Sequence, residues 1–165
     1  MRTRHIVITI LIIGLGVGAI IYFSQTEEKK VKRQFRLLAE SVSKEAGENP
    51  FIMAQKIKNL QVLFEENLTI KVAAEPFSGS YTRDEVLSYA TASRTRFSDL
   101  SLKFFDFNIA FPEKGTARAM LTARLTGKST SGEQMDEARE IECVLKKIEK
   151  KWRFTHIEVV EVLKK

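Results

Sequence analysis

Ser98 to Phe111 reads SDLSLKFFDFNIAF, and its apolar residues change phase halfway along. Leu100, Leu102 and Phe104 occupy alternate positions, and so do Phe105, Phe107, Ile109 and Phe111, but the second set is one residue out of step with the first. Side chains of a strand alternate between its faces without slipping, so the switch predicts a bulge or sharp bend near Phe104. A long bent strand is the seed of a curved sheet.

The residues that follow continue the two-residue period. Pro112-Glu113-Lys114-Gly115 makes a turn. Ala117, Ala119, Leu121, Ala123 and Leu125 then alternate with Thr116, Arg118, Thr122, Arg124 and Thr126. Gly127 to Gly132 (GKSTSG) reads as a flexible hairpin loop. A third long strand is expected from Met135 to Lys150, with Ile141, Cys143 and Leu145 opposite Glu140, Glu142 and Lys146. After a turn at Lys150-Lys151, Trp152 to Leu163 (WRFTHIEVVEVL) pairs back antiparallel.

Upstream of Ser98 the period is helical. Val31, Phe35, Leu38 and Val42 place one apolar side on a helix from about Glu27 to Ala46, broken by Gly47-Glu48-Asn49-Pro50. A second helix starts near Pro50 and lines up Met53, Ile57, Leu60 and Phe64. Asn67 to Ala73 (NLTIKVA) alternates as a short strand, and Pro76 to Gly79 turns the chain. Thr82-Arg83-Asp84-Glu85 has the form of a capping box, opening a third helix that carries Val86, Leu87, Ala90 and Phe97. Helices first and strands afterwards define an α+β fold, three helices packed on one face of a curved antiparallel sheet.

This order resembles the nuclear transport factor two-like superfamily, the cystatin-like α+β cone that includes ketosteroid isomerase and scytalone dehydratase. The likeness is carried by TRDEVLSYATASRTRF leading into the bent strand, and by the closing hairpin KKIEKKWRFTHIEVV. It spans roughly residues 30–163. The resemblance implies a conical pocket between the helices and the sheet's concave face, and dimerisation through the outer face. Enzymes, binding modules and assembly domains all use this fold, so it does not decide the function.

The chain has 165 residues, 27 Lys and Arg against 21 Asp and Glu, and a single Cys. One cysteine excludes an intramolecular disulfide framework and a multi-cysteine metal site. The mild positive balance lacks the concentrated basic stripe of a nucleic-acid binder. At the front, Ile6 to Phe23 (IVITILIIGLGVGAIIYF) carries no charge. As a helix rising about 1.5 Å per residue it is long enough for a hydrocarbon core of ~30 Å. The expectation is a basic tail at 1–5, a transmembrane helix at 6–23, a linker at 24–29 and the cone domain at 30–165. The chain is then a single-pass membrane protein with its soluble domain on the extracytoplasmic side. A cleaved signal peptide is the rival reading of the same stretch.

For chemistry, His156 and Glu158 lie two apart on one strand, and so on one face. There they can act as base and orienter or as two metal ligands, or as a half-buried histidine at the sheet's edge or outer face. The plain alternation puts both on the face that carries Trp152, Phe154, Val160 and Val162. Arg118 and Arg124 share a face too, either to clamp an anion or to pair with Glu140 or Glu142 on the next strand. Arg118, Tyr89 and Trp152 are the ligand-binding candidates. Cys143 reads as a small buried hydrophobe, and no metal or cofactor is implied. The tyrosine and paired acids of ketosteroid isomerase have no assignable counterparts. The leading expectation is a membrane-anchored, non-enzymatic binding domain for a protein or apolar ligand, with a homodimer and the bilayer as further partners and no nucleic acid. The alternative is an isomerase, dehydratase or hydrolase acting inside the cone.

Overall fold

The computed structural model describes residues 25–72 and 78–162. Helix α1 covers 25–42, so residues 25–29, expected as linker, are already helical. It is followed by α2 (Pro50–Leu63), β1 (Phe64–Val72), β2 (Gly79–Thr82), α3 (Arg83–Thr95), β3 (Phe97–Glu113), β4 (Thr116–Ser129), β5 (Gln134–Ile148) and β6 (Lys151–Val162). The fold is α+β, with three helices on a curved six-stranded sheet of order β2-β1-β6-β5-β4-β3.

The local signals for the helices act as expected. The Asn49 side chain accepts from the amide of Ile52 to cap α2, with Pro50 at the first helical position. Thr82 and Glu85 close the capping box of α3 in both directions. Helix α1 stops at residue 42 rather than near Ala46. Its last carbonyls are claimed from outside: the Arg94 guanidinium donates to Ser41, Val42 and Ser43 at 2.6–2.9 Å. Lys44 then bridges to Leu100 as a piece of extended backbone.

The phase switch in β3 is a bulge. Phe105 pairs with Thr122 and Asn108 with Met120, so β3 advances three residues where β4 advances two. Asp106 absorbs the extra step with φ 56°. Phe104 therefore faces the core on one side of the bulge, and Phe107, Ile109 and Phe111 on the other. Phe105, grouped by alternation with Phe107, is instead turned outward.

Three further expectations are corrected. The sheet is mixed, because β1 runs parallel to its neighbour β6 while the other pairs are antiparallel. Gly127 belongs to β4 and not to a loop; a Cβ there would sit 2.6 Å from the Asp99 carbonyl oxygen, so glycine permits the close approach of β3. Among the described residues no helix is long and apolar enough to cross a membrane. The stretch 6–23, on which the span, the bilayer contact and the extracytoplasmic placement rested, lies outside the described residues. The membrane localisation is accordingly not upheld.

Candidate functional site

The inside of the cone is a packed aromatic core. Phe35, projecting from the middle of α1, is fully buried. Its ring meets those of Phe104, Phe107 and Phe154 edge-on, with centroids 5.0–5.3 Å apart. Leu60 and Leu63 from α2, and Ala117, Ala119 and Leu121 from β4, belong to the same cluster. Cys143 lies in it as well, its thiol pushed well above the ordinary range by burial and by the neighbouring Glu142 carboxylate. A protonated thiol in apolar surroundings is a filler and not a nucleophile.

Buried charge sits near the two ends of α1. Near its start, the Glu27 carboxylate accepts from Lys30 through one oxygen, and from Lys147 and the Trp152 indole Nε1 through the other, at 2.8–2.9 Å. Burial alone would raise its pKa, but the three donors outweigh that and hold it at about 2. Trp152, a ligand-binding candidate in the sequence, is thus engaged by this carboxylate and packed beside Phe111. At the far end, Arg94 is 2% exposed and pairs with Glu48, which also binds Lys56. Burial opposes ionisation of Glu48 too, yet its two cationic partners keep its pKa below the usual value. Neither Glu27 nor Arg94 shows in the sequence as a site residue. Glu27 reads as one acid on a solvated helix face, because Lys147 and Trp152, the partners that bury it, lie 120 and 125 positions away.

The outer face of the sheet gathers Arg118, His156 and Glu158. Pairing of β5 with β6 shifts by one residue between Val144 and Leu145, leaving Thr155 as a bulge. Trp152 and Phe154 face the core before it, and Ile157 faces the core after it. His156 and Glu158 are thereby turned to the outer face, away from Trp152 and Phe154, with which plain alternation groups them. They do meet, His156 Nε2 to Glu158 Oε2 at 3.2 Å. Glu142 lies directly across from Glu158, and Val144 from His156. Arg118 reaches Glu142 at 3.4 Å and remains largely exposed. Arg124 makes a two-pronged contact with Asp136 rather than with Glu140 or Glu142. Tyr89 stands on the outside of α3, 62% exposed and edge-on to Tyr81. The structure brings Arg118, Glu142, His156 and Glu158 onto one surface and separates them from Tyr89 and Trp152. Among the described residues no group of three or more His, Cys, Asp or Glu is placed to hold a metal ion.

A bent sheet closed over by three helices around an apolar centre is the nuclear transport factor two-like cone. Solved structures carry the same likeness. A type 2 hexachlorocyclohexane dehydrochlorinase, LinA, superposes with a TM-score of 0.66 at 8% identity over 85% of this chain and 89% of its own. A scytalone dehydratase-like protein from Novosphingobium aromaticivorans gives 0.67 at 16% identity, covering 86% and 87%. A Caulobacter vibrioides protein of cystatin-like fold gives 0.62 at 13%, covering 83% and 89%. Identities this low establish the fold alone. No protein-family model matches the sequence, and no curated protein does.

Proposed function

We propose that this chain is a non-enzymatic interaction domain whose outer sheet face docks a second copy of itself. The observation that carries the reading is the occupied centre of the cone: Phe35 and its three aromatic neighbours fill the place where acid–base groups would have to converge on a substrate. The outer face, by contrast, exposes Phe105, Met120 and Val160 by 44–45% each. Ion pairs such as Arg118–Glu142 lie among them, the mixture of apolar and charged groups that a self-complementary two-fold contact requires. Sedimentation equilibrium should find a dimer for the wild type and a monomer for the double variant Met120→Glu, Arg118→Glu. A wild type that stays monomeric at all accessible concentrations overturns the proposal.

A second reading, an isomerase or dehydratase acting on a small apolar molecule, is supported by the names of two structural neighbours, a dehydrochlorinase and a scytalone dehydratase-like protein. Those names bear on it better than on the first reading. It requires the cone to open around Phe35. Chloride release from hexachlorocyclohexane, abolished by Phe35→Trp, would establish it; under the interaction reading no chloride is released.

A further inference from the structure

The basic side chains of the described residues are not spread evenly over the fold. Three segments distant in sequence meet at one end of the molecule. The Lys147 amide donates to the Gly115 carbonyl at 2.7 Å, holding the β3–β4 turn against β5. The Lys147 ammonium and the Trp152 indole both donate to Glu27, which brings the start of α1 to the same place.

The acids at this end, Glu27, Glu28, Glu113 and Glu149, are fewer than its lysines, although Glu113 and Glu149 stay exposed. Glu27 is buried and taken by Lys30 and Lys147; Glu28 is paired with Lys32 at 2.7 Å. Glu149 faces Arg153 at 3.6 Å, and Glu113 accepts from the Thr116 hydroxyl. Lys29, Lys114, Lys146, Lys150 and Lys151 are exposed, and none has an acidic partner among the described residues.

We propose that this lysine-bearing end docks an acidic stretch of a partner polypeptide. The chemistry favours that partner over other polyanions. The donors are lysines, mobile point charges without the rigid fork that grips a phosphate bidentately. None of the exposed large apolar side chains among the described residues belongs to these segments, so there is no stacking platform for bases. The charges also wrap around the end: Lys29 lies on the helical layer, Lys146 is exposed on β5 and the others sit at or beside the two turns. A flexible acidic chain can follow charges set on several segments, and electrostatic steering would speed its arrival.

The test is fluorescence anisotropy of a labelled oligoglutamate peptide with the full chain. Binding should saturate at low ionic strength and weaken steadily as salt is added. The triple variant K114E, K150E, K151E should weaken it about tenfold or more, while K128E at the opposite end should leave it within about twofold. If the triple variant fails to fold, K114E and K151E singly, each expected to weaken binding about threefold, decide the matter. Oligoglutamate binding that is absent, or indifferent to these variants, overturns the proposal. So does a larger loss for duplex DNA or phosphatidylserine vesicles than for the peptide.

Discussion

Two residues of the β5–β6 turn hold an uncommon backbone. Glu149 and Lys150 connect Ile148 to Lys151 with φ 50° and 67°, a left-handed pair that side chains resist and glycine accepts. Lys150→Gly should therefore raise stability by about 1 kcal/mol, read as a higher midpoint in chemical unfolding. Glu27 predicts a pH effect. Its folded pKa, about 2, lies below the ordinary glutamate value of 4.5, so the folded state favours the ionised form. Its contribution is complete above about pH 4.5 and is lost as pH falls towards 2. Urea midpoints measured across that window should fall for the wild type and fall less steeply for Glu27→Gln.

At the scale of the element, the β3 bulge is the feature on which the sheet's inner face depends. Phe104 and Phe107, three residues apart, both reach the core because the bulge takes up Asp106 as an extra residue between them. Flattening the bulge with the residue count unchanged, so that strict alternation ran through Asp106, would drive Phe107, Ile109 and Phe111 to the outer face. Asp106→Val, whose β-branched side chain resists the positive φ that the bulge needs, should therefore melt well below the wild type, whereas Asp106→Gly, which suits that φ, should melt near it. This bulge was legible in the sequence because consecutive apolar side chains betray it. The bulge at Thr155 was not. Trp152, Phe154, His156 and Glu158 all fit one alternating series, and only the pairing partner β5 shows where that series breaks.

Across the whole molecule, Arg94 binds the pieces together. It joins α3 to the carbonyl end of α1 and to Glu48 in the segment leading to α2, its own side chain buried. Removing one member of such a network strands the others without compensation. Arg94→Met should cost about 3–5 kcal/mol in urea unfolding, and adding Glu48→Gln should recover part of it. A full recovery would mean the carbonyl contacts count for little.

What the sequence determined by itself was the kind and order of most elements, the capping box, the bend in β3 and through them the α+β cone, since each is written in the spacing of neighbouring side chains. It did not contain the short strand β2, the parallel pairing of β1 with β6, the outward turn of His156 and Glu158 or the meeting of lysines from three segments. Those were decided only in the tertiary structure, because strand register and buried ion pairs depend on groups brought together from opposite ends of the chain, and local periodicity does not record which of them will meet.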